Sequence, residues 1–139
     1  MVTVLIIEEE EVIRGFVRVI LQNAGHNAVE AGNGEAGLQL VKRGTVDAVI
    51  VDYMGRVGDG IGALKRLRAD AATAHIPVVA MCGLGQSGEE AALWANSLVV
   101  KPFRPAQLLM KVQATLETKR RPFASPELRP IATIMPVPA

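Results

Sequence analysis

The stretch Val46–Gly60, VDAVIVDYMGRVGDG, decides the fold. Its apolar run, Ala48 to Val51, stops on Asp52, and glycines follow at 55, 58 and 60. A short β-branched run bounded by turn residues predicts a buried strand. A strand apolar on both faces belongs in the middle of a parallel sheet covered by helices. Asp52 then stands at its C-terminal end, the edge where open α/β sheets bind ligands.

Upstream, Val2–Ile7 is a second such run, ending on the glutamates Glu8 to Glu11. Ile13, Phe16, Val17, Ile20 and Leu21 share one helical face, and Ala24-Gly25 closes that helix. Asn27–Glu30 makes a short strand, Asn33-Gly34 a turn and Ala36–Lys42 a second helix. Downstream, Ile61, Leu64 and Leu67 mark a third helix with Lys65, Arg66 and Arg68 facing water. Ile76–Met81 is a fourth strand, stopped by Cys82-Gly83. Glu89–Trp94 is a short helix, and Leu98–Val100 a fifth strand ending on Lys101-Pro102. Pro105 suits the first turn of a last helix, whose buried face is Leu109, Val112 and Leu116. Strands alternating with helices predict an α/β fold: a doubly wound five-stranded parallel sheet with helices on both faces.

The chain has 139 residues, enough for one domain with a substantial core. Five of its eight prolines fall in 122–139. The expected organisation is therefore a domain over 1–121 and a Pro-rich tail over 122–139. The tail carries Ile131, Ile134, Met135 and Val137, so it reads either as mobile or as an extended segment that docks on this domain or a partner. A net charge of +1 gives no electrostatic case for nucleic acid. The single cysteine, Cys82, excludes an internal disulfide and a multi-cysteine metal site, and fits a reducing compartment. No apolar run approaches the roughly 20 residues that cross a bilayer, and the N-terminus lacks the basic start and cleavage site of a signal peptide. A cytoplasmic, soluble domain without a membrane partner is expected.

The ends of strands one, three, four and five bring Glu8 and Glu9, Asp52, Cys82 and Lys101 to one edge. Three carboxylates and a lysine there are costly if unpaired. A divalent cation neutralises them, and oxygen ligands without histidine favour Mg²⁺ over zinc. His26 and His75 precede strands and so lie at the opposite edge. Taken alone, Glu8 to Glu11 could be a solvated first helical turn favoured by the dipole.

Four pieces in this order resemble the receiver domain of bacterial two-component response regulators: VLIIEEE at 4–10, DAVIVDYMGRVGDG at 47–60, IPVVAMCG at 76–83 and VVKPF at 99–103. The resemblance runs from Val2 to about Thr118. It implies a flavodoxin-like sheet of order 2-1-3-4-5. It implies that Asp52 accepts a phosphoryl group from a sensor histidine kinase or a phosphotransfer protein. Glu8 and Glu9 stand where the family holds Mg²⁺, with Asp52 and the Met54 backbone carbonyl as further ligands. Lys101 stands where the family pairs with phosphoryl oxygens, Cys82 where it has Ser or Thr, and Leu98 where an aromatic residue switches rotamer. Helix four, strand five and helix five form the face that receivers use for partners and for homodimers. Trp94, in place of a glycine there, is a candidate contact or a packing residue. Lys119-Arg120-Arg121 cap the last helix at its negative end. The implied protein is not an enzyme; it is a single-domain regulator that signals to a downstream protein by contact.

Four positions depart from the family pattern. Glu9 is one methylene long, which moves its oxygen by about 1.5 Å, and Mg²⁺ demands near-ideal geometry, so binding should be weak. Cys82 offers only a weak S–H donor; a small buried filler is the simplest reading of it, since no histidine is placed to activate a catalytic thiol. Leu98 removes the aromatic switch. Arg56 replaces a loop proline, which leaves that loop less rigid. These departures point to the alternative of a phosphorylation-independent receiver-like module. A third reading, metal-assisted phosphate hydrolysis, lacks a cap domain and a second general acid.

Overall fold

The structure, a computed structural model, describes residues 2–53, 59–83 and 88–117. Met54, Arg56, Lys119 to Arg121 and the 122–139 tail lie outside the described residues. Five strands and five helices alternate: β1 Thr3–Ile7, α1 Glu11–Asn23, β2 Asn27–Ala31, α2 Gly34–Lys42, β3 Ala48–Asp52, α3 Asp59–Ala69, β4 Val78–Gly83, α4 Glu89–Trp94, β5 Ser97–Lys101 and α5 Pro105–Glu117. The strands form one parallel sheet in the order β2-β1-β3-β4-β5. This is the flavodoxin-like fold expected from the sequence.

Strand alternation sorts the core into two layers. Leu5, Val49, Val51, Val78, Ala80 and Cys82 face α2, α3 and α4. Val4, Ile6, Ala48, Ile50, Val79 and Met81 face α1 and α5. The central strand β3 is buried on both sides, which its unbroken apolar run required. Each such side chain contributes about 1.5–3 kcal/mol by leaving water. Helix α1 ends at Gly25, whose φ of 88° an L side chain would strain.

Four local expectations need correction. Strand four begins at Val78 rather than Ile76, because Pro77 has no N–H for the ladder; its carbonyl accepts from Val49 N at 2.9 Å. Phe16 is 48% exposed and stacks on Phe103, ring centroids 6.2 Å apart. The buried face of α5 is Leu108, Val112 and Thr115, with Leu109 and Leu116 only partly covered. Arg68 does not face water. It is 6% exposed and donates to the carbonyls of Trp94, Ala74 and Ile76 and to Asn96 Oδ1 at 2.6–2.9 Å. A guanidinium carries enough donors to satisfy this cluster of carbonyls, so the preference of a charge for water lost to a tertiary demand.

Candidate functional site

Strand register builds the site. Ile7 pairs with Val51, so Glu8 and Asp52 emerge side by side at the carboxyl edge. Asp52 pairs with Met81, and Gly83 with Lys101 on the outermost strand. From there Lys101 reaches back across β4. Its Nζ lies 2.9 Å from Glu8 Oε1 and 3.3 Å from Asp52 Oδ1. Glu8 is 1% exposed, while the Asp52 and Lys101 side chains keep 13% and 22% of their surface open.

The main chain at this edge is held closely. Glu8 donates its N–H to the Ala31 carbonyl at 3.0 Å, and its own carbonyl accepts from Arg14 Nη1 at 2.9 Å. The Asp52 carbonyl packs against Gly60 at the start of α3, leaving no room there for a Cβ. Tyr53, next to Asp52, is buried and its hydroxyl stands 3.5 Å from Glu90 Oε2 on α4; burial, then the Glu90 charge, raises its pKa.

Two carboxylates and one ammonium leave this pocket a positive charge short. Burial, then the hydrogen bond to Asp52, pushes the Glu8 carboxyl up to about 7, with Lys101 opposing. Burial disfavours the Lys101 ammonium, but Glu8 and Asp52 outweigh it and hold the pKa above the ordinary lysine value. Glu8 Oε2 is buried with no hydrogen-bond partner. A proton shared with Asp52 satisfies that oxygen, and so does a cation. The orphaned oxygen and the all-oxygen donor set fit a hard divalent ion such as Mg²⁺. Only two of the three expected carboxylates meet, however. Glu9 is exposed, and among the described residues no group of three or more His, Cys, Asp or Glu gathers as a metal site.

The remaining expected residues lie beside this pocket. Cys82 is buried, and burial, then the Asp52 charge, raises its thiol pKa, so it stays an S–H. Leu98 packs inward: a Cβ on Gly88 would meet Leu98 Cδ1 at 2.8 Å and Cys82 Sγ at 3.7 Å. Trp94 is partly buried against the α2–α3–α4 layer, with Lys65 Nζ 5.8 Å from its ring centroid. His75 is exposed, and His26 N donates to the Leu21 carbonyl at the far edge. Arg14 and Tyr53 were not singled out from the sequence. An arginine at the end of a helix's first turn carries no local signal of what it will reach, and a tyrosine after a strand reads as ordinary core.

An acidic edge with a reaching lysine, on a sheet of this order, defines a flavodoxin-like domain of the receiver type. The family model of the response regulator receiver domain matches residues 4–113, and the chain belongs to that family. It is 32% identical over 118 residues to the chemotaxis protein CheY-3 of Vibrio cholerae, covering 82% of this chain and 91% of that one. It is 33% identical over 126 residues to the DNA-binding regulator RpaA of Synechocystis, covering 88% of this chain and 52% of that one. Among solved structures, CheY4 of Vibrio cholerae superposes with a TM-score of 0.75 at 28% identity, over 83% of this chain and 98% of that one. The chain spans about half the length of the first curated regulators it matches. Receiver domains are signalling modules of two-component systems. Among the described residues, no helix is long and apolar enough to cross a membrane.

Proposed function

We propose that the chain accepts a phosphoryl group on Asp52 from a phosphohistidine of a sensor histidine kinase or phosphotransfer protein. The observation that carries this reading is Lys101, shared between Glu8 and a partly open Asp52 at the carboxyl edge. A carboxylate is a weak nucleophile until its target is held in line, and phosphoryl transfer asks a protein mainly for positioning and charge neutralisation. An Asp52 oxygen attacks phosphorus as the bond to the donor's imidazole nitrogen breaks. Lys101 lies within reach of the phosphoryl oxygens that arrive there, and supplies positive charge where negative charge gathers. Glu8 and Asp52, with Glu9 and the Met54 carbonyl on the family pattern, would hold Mg²⁺, which when bound supplies the missing positive charge.

Within this reading residues 1–121 form the receiver, 122–139 are an appended tail, and the signal leaves through protein contact in the cytoplasm. The α4–β5–α5 face, with Trp94 at its margin, is the surface offered to a downstream protein or a second copy. The test is intact mass after incubation with a small-molecule phosphodonor and Mg²⁺. One phosphoryl adduct, lost in Asp52→Asn, is expected; no adduct at saturating donor sinks the proposal.

A second reading has its own observation. Leu98 packs on Gly88 beside a buried Cys82 thiol, so position 82 lacks the hydroxyl, and position 98 the aromatic ring, that the family uses to read phosphorylation out. A module that binds its partner regardless of phosphate follows from that, and it predicts partner binding unchanged by Asp52→Asn.

A further inference from the structure

We infer that Arg14 is a positioning residue for the acidic pocket: its guanidinium ties the Glu8 main chain to β2 and so sets the pocket's affinity for a divalent cation. The inference rests on the reading of Glu8 and Asp52 as cation-holding residues.

Arg14 makes two contacts of different kinds. Nη1 donates to the Glu8 carbonyl at 2.9 Å, and Nε pairs with Glu30 Oε1 on β2 at 3.2 Å. Arg18, one turn further along α1, takes the other Glu30 oxygen through Nη1 at 2.8 Å. With an arginine on each oxygen, Glu30 is held from two sides, and Arg14 in turn has a fixed anchor. Gly32, just past β2, lies beside the guanidinium: a Cβ there would meet Arg14 Nη1 at 3.5 Å, an ordinary contact.

The consequence falls on Glu8. Its N–H is fixed by Ala31 at the end of β2, and its carbonyl by Arg14. With both peptide groups held, the direction in which the Glu8 side chain leaves the backbone is set, and so is the peptide that leads into Glu9. The bond from Arg14 N to the Glu10 carbonyl, 2.9 Å, starts α1 from the same turn. As a plain surface ion pair this cluster would matter little. As a brace it matters because partners that orient ligand-bearing groups control cation affinity. A lysine cannot replace the fork: it has one terminal nitrogen, whereas Arg14 uses two at separate places.

The experiment is a Mg²⁺ titration of the full chain, followed by backbone amide shifts of Glu8 to Glu10, with Arg14→Gln, Arg14→Lys and Glu30→Gln beside wild type. Loss of the brace is expected to raise the half-saturating Mg²⁺ concentration roughly 10- to 100-fold in both Arg14 variants. The rate of Asp52 modification at saturating Mg²⁺ stays unchanged, because cation binding alone was weakened. A role confined to stability would lower Tm and leave half-saturation where it was; that result in a folded variant overturns the inference. Should Arg14→Gln fail to fold, Glu30→Gln loosens the same brace from β2 and is judged by the same criterion. If wild type takes up no phosphoryl group, the reading of Asp52 fails while the titration still judges Arg14. If wild type binds no Mg²⁺, the inference on cation affinity is overturned, and faster exchange of the Glu8 amide in Arg14→Gln reports on the brace alone.

Discussion

Replacing Glu8 by Gln tests the electrostatics of the pocket directly. The Glu8 carboxyl is raised from 4.5 to about 7 in the folded chain, chiefly by burial and then by Asp52. The folded state therefore binds a proton that the unfolded state has released, over the window between those values. Stability from this group is fully present below pH 4.5 and is lost as pH rises through about 7. At about 1.4 kcal/mol per pKa unit, wild type should lose on the order of 2–3 kcal/mol between roughly pH 5 and pH 8 that Glu8→Gln does not lose. The amide is nearly isosteric, can still accept from Lys101 and can donate to Asp52. Urea unfolding of both proteins without divalent cation, at several pH values, gives the comparison, with equal m-values as the sign that only stability has changed. Saturating Mg²⁺ should flatten the wild-type curve, because an ion that keeps Glu8 charged removes the proton uptake. Parallel curves for wild type and variant across the whole range would refute the reasoning, since Glu8 would then titrate alike in both states.

Three other substitutions have defined outcomes. Arg68→Leu strands the carbonyls of Trp94, Ala74 and Ile76 that it now satisfies; at ~1–3 kcal/mol for each unsatisfied group, it should cost at least about 3 kcal/mol in denaturant unfolding, with Arg68→Lys recovering only part. Gly60→Ala drives a methyl group into the Asp52 carbonyl; it should cost about 1–3 kcal/mol as overpacking and slow Asp52 modification, whereas Gly62→Ala, which meets nothing, should do neither. Glu9→Asp should tighten Mg²⁺ binding by calorimetric titration, and equal affinities would show that the extra methylene folds back harmlessly.

The architecture was legible because its signals are strong and local. Short apolar, β-branched runs ending on turn residues located β1, β3, β4 and β5, and the unbroken run of β3 required a sheet covered on both faces. Asp52 and Lys101 were legible through the strands they terminate, since a parallel sheet brings all strand ends to one edge. What failed was detail that depends on neighbours distant in sequence. Arg68 has the spacing of the apolar stripe, i+4 from Leu64 and i+7 from Ile61; its charge argued for water, and only the assembled carbonyls at the far edge satisfy it inside. The α5 period is satisfied nearly as well one residue over, so the choice of Leu108 over Leu109 belongs to the packing against β4 and β5. The contact of Arg14 with Glu8 was invisible for a similar reason, because it needs the turn between β1 and α1 to be folded first. Glu9 follows Glu8 in sequence, yet the turn leaves it exposed while Glu8 is buried.

The pocket and its surroundings differ in how they are built. Glu8, Asp52 and Lys101 are joined by charge, and an arriving phosphoryl group or cation changes that balance at once, because Lys101 can exchange carboxylate partners within a few tenths of an ångström. Around Cys82, Gly88 and Leu98 the contacts are apolar. Such packing responds to displacement and is largely indifferent to charge. On the proposed reading, a change of charge at Asp52 reaches α4 by that route only if the backbone of β4 moves and displaces Leu98 and Gly88. Tyr53 offers a polar alternative, since it adjoins Asp52 in sequence and its hydroxyl faces Glu90 at the start of α4. Movement of the Asp52 peptide would act on that contact without needing a hydroxyl at position 82 or an aromatic ring at position 98.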